Sequence, residues 1–112
     1  MDKELVDQFT PEVVYSLVIP CYNESKNLYK LVERCVYLLN KREDVEVLLV
    51  DNGSIDGTDE VLINLCNNCN HPRLRTTRVA INRGYGFGIK AGLKVSVGKV
   101  VGWTHADLQT DP

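Results

Sequence analysis

Val45-Glu-Val-Leu-Leu-Val50 is apolar at five of its six positions, and this run constrains the fold more than any other stretch of the chain. It is short and β-branched, and so reads as a strand with no polar face to offer to water. Such a strand needs helices packed against both sides of its sheet, which is the environment of a parallel α/β sheet. The flanking segments supply them. Leu28, Leu31, Val32, Cys35, Leu38 and Leu39 recur at helical spacing behind Ser25, a suitable N-cap, with Lys26, Lys30, Glu33 and Arg34 on the opposite face. After the strand, Val61, Leu62, Leu65 and Cys66 share a face of a second helix that Asp56 or Thr58 can cap.

The same alternation fills the rest of the chain. Tyr15 to Ile19 is a short apolar strand stopped by Pro20, and a weaker strand runs from about Leu74 to Ile81. A third helix carries Ile89, Leu93 and Val97 at four-residue intervals and closes on Gly98, and Val100 to Thr104 forms a last strand. Residues 1–14 have no clear period and read as a lead-in arm. Strands alternating with helices predict an α/β, doubly wound, mostly parallel sheet. Right-handed crossovers bring the carboxyl end of each strand to one edge. Four polar loops are therefore expected together there: Pro20 to Glu24, Asp51 to Thr58, Asn82 to Gly88, and His105 to Asp111.

A chain of 112 residues is one domain, short for an enzyme with two substrates. Its net charge of -2 and the lack of any Lys/Arg run exclude a general nucleic-acid binder. No apolar stretch approaches the ~20 residues of a spanning helix, and the acidic start is unlike a signal peptide. Four cysteines without an export signal read as reduced thiols, which makes the cytoplasm the expected compartment. Cys66-Asn-Asn-Cys69 with His71 has half of a zinc-site spacing but no second knuckle, so a helix running into an Asn-rich turn is the better reading.

Each loop carries polar groups that could meet a ligand. Asn23 and Glu24 follow a buried strand directly, though both would also suit a helix N-terminus. Asp51 sits where a turn needs no carboxylate; Gly53 permits close backbone approach and Ser54 offers a donor. Gly84, Gly86 and Gly88 miss the dinucleotide fingerprint, because Ile89 occupies the place of its third glycine. Gly84 instead suits a loop passing near a phosphate or ribose, with Asn82 and Arg83 as donors. In an extended segment His105, Asp107 and Gln109 point to one side, converging an imidazole nitrogen, a carboxylate and an amide oxygen. Divalent ions shared with substrate phosphates favour such sets.

Ser16-Leu-Val-Ile-Pro-Cys-Tyr-Asn-Glu24, Val50-Asp-Asn-Gly-Ser-Ile-Asp-Gly-Thr58, the Asn82-Arg-Gly loop and Ala106-Asp-Leu-Gln-Thr-Asp-Pro112 together resemble family 2 glycosyltransferases. Within that family the likeness is greatest to the polyprenyl-phosphate (dolichyl-phosphate) sugar transferases. The resemblance covers about residues 15–112 and implies the nucleotide-binding half of a glycosyltransferase-A fold, with the acceptor half and the catalytic base beyond Pro112. It implies that Pro20, Tyr22 and Glu24 line a nucleoside pocket, that Asp51 and Asn52 hold the base, and that Asp107 and Gln109 ligate Mg or Mn on the donor diphosphate. Arg83 and Gly84 complete the expected nucleotide site. Two positions depart from the family pattern: Asn52 often has Asp as its counterpart, and His105 replaces the first Asp of the metal motif, where neutral imidazole can still bind manganese.

The expected partners are a nucleotide-sugar donor and a polyprenyl-phosphate or glycan acceptor, with no nucleic acid and with membrane association only through regions outside this sequence. The expected activity is metal-assisted inverting transfer by the whole protein, this stretch alone binding donor. A non-catalytic nucleotide-sugar-binding module is the first alternative. A sugar nucleotidyltransferase is the second, although Pro20-Cys-Tyr-Asn-Glu24 lacks its glycine- and arginine-rich loop. A receiver-like domain would require an acidic cluster after the first strand, where Cys21, Tyr22 and Asn23 stand.

Overall fold

A computed structural model describes residues 12–104. The elements follow in the order β1 (Tyr15–Cys21), α1 (Leu28–Lys41), β2 (Val45–Asn52), α2 (Thr58–Cys69), β3 (Leu74–Val79), α3 (Tyr85–Val95) and β4 (Val100–Trp103). The strands form one sheet in the order β3-β2-β1-β4, parallel throughout. All eight residues of β2 are buried, its apolar residues as the sequence requires and Glu46, Asp51 and Asn52 with them. Its side chains alternate between two cores. Val45, Val47 and Leu49 join Ile19, Leu28, Leu31, Cys35, Leu39 and Leu62 beneath α1 and α2. Leu48 and Val50 join Val18 on the other side, against Ala91 of α3.

Strand β1 continues through Pro20 to Cys21, one step past the expected stop. Val14 and Val18 present their carbonyls to β4, accepting from the Val100 and Thr104 N–H groups. By the two-residue alternation Pro20 faces β4 as well, but the β1–β4 pairing ends at Val18 and Trp103. The missing proline N–H therefore costs no ladder bond.

Two helix boundaries and one strand boundary differ from the sequence expectation. Ser25 does not cap α1, because its hydroxyl donates to Asp56 Oδ2 (3.0 Å) and the helix starts three residues later. Strand β3 ends at Val79, leaving Ile81 exposed in a bend. Helix α3 ends at Val95, so Val97 and Gly98 lie outside it. Its packed face also differs: Leu93 is 43% exposed and Val97 63%, while Gly88 and Gly92 are buried. A Cβ on Gly92 would stand 2.4 Å from Val18 Cγ1. Small residues let α3 lie directly on the sheet, and that closeness decides which face is buried. Gly98 likewise serves close approach, since a Cβ there would meet Ser16 Oγ at 2.6 Å.

Glu46, the one polar residue in the apolar run, is fully enclosed on the α3 side. Its Oε2 accepts from Ser16 Oγ (2.5 Å) and the Val97 N–H (2.7 Å), and its Oε1 from Arg75 Nη2 (2.6 Å) and Nε (3.1 Å). Arg75 also donates to the Val95 carbonyl, and the Gly98 N–H to Ser16 Oγ. The carboxylate thus ties β1, β2, β3 and the end of α3 together. Burial alone would raise its pKa, but the bonds from Ser16, Val97 and Arg75 outweigh burial and hold it below the usual carboxylate range.

Two outcomes test this packing. A depressed folded-state pKa gives stability that is present above the unfolded value of about 4.3 and is lost as pH falls through the folded value. Thermal unfolding of Glu46→Gln between pH 5 and 3 is therefore expected to show a flatter pH dependence than the parent. Glu46→Ala is expected to cost roughly 3 kcal/mol, the low end for breaking a buried pair, because Arg75 is 40% exposed and can turn to water. Equal slopes for parent and Gln variant would remove Glu46 from this role. In α3, Gly86 has nothing near a would-be Cβ, so Gly86→Ala is expected to stabilise by up to about 1 kcal/mol. Gly92→Ala is expected to destabilise by about 1–3 kcal/mol through overpacking, as read by urea unfolding.

Candidate functional site

The loops after β1, β2 and β3 meet at one edge of the sheet, and their own hydrogen bonds hold them there. Asn23 adopts a left-handed backbone (φ 51°), which Asn tolerates better than most residues. This turn aims its N–H at Ser54 Oγ (3.1 Å) and its Oδ1 at the Ile55 N–H (3.0 Å). The Glu24 N–H donates to Thr58 Oγ1 (3.0 Å). Asp56 accepts from the Ser25 hydroxyl and backbone with one oxygen, and from the Thr58 N–H (3.1 Å) and hydroxyl with the other. The Thr58 bond first, and then the Ser25 bonds, hold the Asp56 carboxyl below its usual pKa. Asp56 thereby supports the start of α2 and also latches the first loop to the second.

The second loop is fixed equally well to the third. Gly53 has φ +71°, and a Cβ on it would lie 2.2 Å from the Asn82 nitrogen. Its close approach is therefore to the β3 loop, where the sequence suggested a ligand. Asn52 Nδ2 donates to the Gly84 carbonyl (3.2 Å), and Asn82 Oδ1 accepts from the Gly84 N–H (2.8 Å). Gly88 presses on the Asn52 side chain from α3, with a would-be Cβ 2.9 Å from its Cγ and Nδ2.

Within this frame the sequence-derived residues take distinct positions. Pro20 is buried near the end of β1, Tyr22 is exposed beyond it, and Glu24 is half-buried with Oε2 accepting from Asn27 Nδ2 (3.0 Å). Burial pushes the Cys21 thiol pKa far up, and the thiol of Cys35 and the charges of Glu24 and Asp51 add to the effect. Asp51 is buried with Oδ1 accepting from the Ser54 N–H (3.1 Å). Its Oδ2 is 3.4 Å from Arg78 Nε. Arg83 is exposed, with its guanidinium 5.6 Å from the Phe87 ring centroid. Gly84 opens α3 with φ +106°. His105, Asp107 and Gln109 lie outside the described residues.

Two buried oxygens here accept no hydrogen bond among the described residues: Asp51 Oδ2, which has only the ionic contact to Arg78, and Asn52 Oδ1. Asp51 faces the α2 side of the strand end and Asn52 the α3 side; orphan acceptors are costly in a folded protein and suit a ligand that brings N–H or O–H donors. Arg78, which also reaches Asp59 at 3.5 Å, was not foreseen; only the register Asp51↔Arg78 across β2 and β3 exposes it. Ser54 was foreseen as a free donor but is engaged with Asn23 and the Cys21 carbonyl (3.5 Å). Among the described residues no group of three His, Cys, Asp or Glu side chains could hold a metal, so the Cys66/Cys69/His71 set forms no such centre. Helix α2 instead ends at Asn70 in a left-handed turn, as the Asn-rich segment suggested.

Asn52→Asp removes the donor to Gly84 and sets a second carboxylate beside Asp51. Expected is a loss of roughly 1–3 kcal/mol in chemical denaturation, with faster proteolytic cleavage in the 80–84 loop. Unchanged stability and cleavage would show that the Asn52 tether does not hold the loops.

Comparison with known proteins agrees with this architecture. The model of Glycosyl transferase family 2 matches residues 16–112. An undecaprenyl-phosphate 4-deoxy-4-formamido-L-arabinose transferase of Pectobacterium atrosepticum is 39% identical over 100 residues, covering 87% of this chain and 30% of the relative. A dolichyl-phosphate beta-glucosyltransferase of Homo sapiens is 32% identical over 107 residues, covering 90% and 33%. Among solved structures, a Pyrobaculum calidifontis mannosyltransferase in complex with GDP-Man and Mn2+ superposes with a TM-score of 0.75 at 24% identity, over 88% of this chain and 28% of that one. S. aureus TarS 1-349 in complex with UDP-GlcNAc gives 0.67 at 25% identity, over 85% and 27%. The chain spans about a third of the length of the relatives it matches.

Proposed function

This chain belongs to glycosyl transferase family 2, and on that premise we propose that it is the donor-binding part of a glycosyltransferase with the glycosyltransferase-A fold. The edge formed by the loops after β1, β2 and β3 takes a nucleotide sugar. The observation that carries this reading is the pair of buried, unfilled acceptors Asp51 Oδ2 and Asn52 Oδ1 at the carboxyl edge of a parallel sheet, where such sheets bind ligands. Base N–H groups and ribose hydroxyls are the donors that would fill them. Pro20, Tyr22 and Glu24 form the neighbouring wall in this reading, and Arg83 and Gly84 approach the phosphates.

His105, Asp107 and Gln109 follow β4 directly and offer an imidazole nitrogen, a carboxylate and an amide oxygen, a donor set that fits Mg or Mn alongside substrate phosphates. An ion held there would supply charge neutralisation at a diphosphate leaving group. The transfer itself is an inverting displacement, in which the acceptor oxygen attacks the anomeric carbon as the nucleotide diphosphate departs. A phosphate acceptor is already ionised and needs little help from a base. The relatives named as undecaprenyl-phosphate and dolichyl-phosphate transferases support a polyprenyl-phosphate acceptor. The free thiols of Cys21, Cys35, Cys66 and Cys69 support a reducing, cytoplasmic compartment. Among the described residues no helix is long and apolar enough to cross a membrane.

Calorimetric titration with UDP- and GDP-sugars, with and without Mn2+, tests the assignment. Asp51→Asn is expected to weaken nucleotide binding about tenfold or more, as removal of a charged hydrogen-bond acceptor does. Asp107→Ala is expected to abolish the manganese dependence and leave base recognition intact. Undiminished manganese-dependent binding in Asp107→Ala would refute the metal assignment.

A further inference from the structure

Asp51 Oδ2 is an acceptor that nothing outside the protein can reach as it stands. It takes no hydrogen bond among the described residues and is closed to water, so a base or ribose that is to bond to it needs a neighbouring group to move. The one contact of this oxygen is with Arg78, whose Nε stands 3.4 Å away.

Three arginines follow one another around the start of β3, and they are held in different ways. Arg73 donates to the carbonyls of Leu39, Arg42 and Val45, and Arg75 to Glu46 and the Val95 carbonyl, all at 2.5 to 3.1 Å. Arg78 has no such anchor. Its side chain makes two longer ionic contacts, to Asp51 and, from Nη1, to Asp59 Oδ2 at 3.5 Å, with no hydrogen bond among the described residues, and it is 56% exposed. Strand alternation puts Arg75 and Val79 on the α3 side of β3 and Arg78 on the other, where the β2–β3 register sets it against Asp51.

An arginine in this position covers the acceptor without satisfying it. The ionic contact answers the charge of Asp51 but leaves the lone pairs of Oδ2 unused, so a ligand N–H or O–H placed there still gains a charged hydrogen bond. Asp59 gives the guanidinium a place to go. It lies in the first turn of α2, its side chain is 27% exposed, and a guanidinium no longer shared with Asp51 can face it with two parallel N–H groups.

We propose that Arg78 is an ionic latch on the donor site: in the empty protein it lies over Asp51 Oδ2, and an entering nucleotide turns it away from Asp51 and onto Asp59. The latch rests on the donor-site reading and adds to it a positioning residue that acts through Asp51. The movement is confined to one side chain, because the loops around it are already tied together by their own hydrogen bonds. Its consequence is thermodynamic. The apparent affinity for nucleotide is lowered by the fraction of molecules in which the latch is shut, and Asp59 raises affinity by holding the latch open.

The test is calorimetric titration of the full chain with UDP- and GDP-sugars, in the parent, Arg78→Gln, Asp59→Asn and the double variant, with thermal unfolding to show that each is folded. Arg78→Gln is expected to bind nucleotide sugar about two- to fivefold more tightly, the range of a partly exposed ion pair. Asp59→Asn is expected to bind about twofold more weakly, and in the Arg78→Gln background to change nothing, because there is no guanidinium left to receive. An arginine that merely buttressed the strand end, or that attracted the diphosphate directly, would give weaker binding in Arg78→Gln; that result, or unchanged binding, overturns the latch. So does an Asp59→Asn effect of equal size in both backgrounds. Should Arg78→Gln fail to fold, Asp59→Asn decides alone, and parent-like affinity in that variant overturns the proposal. Binding by the parent with either contrary outcome leaves the donor-site reading standing, whereas absence of binding in every folded form overturns that reading and the latch with it.

Discussion

Strand β2 has no face to give to water, and the architecture follows from that constraint. Eight consecutive buried residues require cover on both sides, so helices must lie on both faces of the sheet and each connection must cross over. Parallel strands then leave their carboxyl ends at a common edge, and the three described loops have nowhere else to go. Within the Val45–Val50 run the one violation of the apolar rule, Glu46, confirms its strength. The carboxylate is tolerated because Ser16, Val97 and Arg75 supply four hydrogen bonds, and in doing so it fastens the far end of α3 to β1 and β2.

At the opposite end of the sheet the loops are assembled before any ligand arrives. Asn23, Glu24 and Ser25 bond to Ser54, Ile55, Asp56 and Thr58, and Gly53 and Asn52 bear on Ile81, Asn82 and Gly84. Most of the polar groups that looked available in the sequence are consumed by this stitching. Among the described residues, the buried side-chain atoms left without a hydrogen bond are two acceptor oxygens on adjacent residues of one strand end. Pre-organisation of this kind lowers the ordering cost of binding, because the loops need not be fixed by the ligand.

The fold was legible because hydrophobic period and length are properties of single segments. The apolar run of β2, the face of α1 and the polar strand ends gave the sheet, its helices and the shared edge, and the quoted loop motifs gave the family. What stayed hidden depends on distances between segments. Ile89, Leu93 and Val97 have the spacing of a buried stripe, yet Gly88 and Gly92 let α3 approach so closely that the glycine face wins. Ser25 has the composition of a cap but meets a carboxylate thirty-one residues away. Arg78 is invisible as a partner of Asp51 until the β2–β3 register pairs them. Gly98 looks like a helix end and is instead the point where the chain passes Ser16.

Asn52 shows how a departure from a family pattern can be structural. A carboxylate at position 52 would lie on the α3 side of β2, against Gly84 and Gly88, away from the guanidinium of Arg78, which is divided between Asp51 and Asp59. Desolvating a second anion there would be opposed both by burial and by the neighbouring charge. An amide removes that charge and adds the donor that secures the Gly84 carbonyl, while still presenting one acceptor oxygen. The third loop, and through it the start of α3, is thus positioned by the same side chain that offers the acceptor. In the proposed donor site, an acceptor at Asn52 and the start of α3 therefore share one side chain, joined by the hydrogen bond from Asn52 Nδ2 to the Gly84 carbonyl.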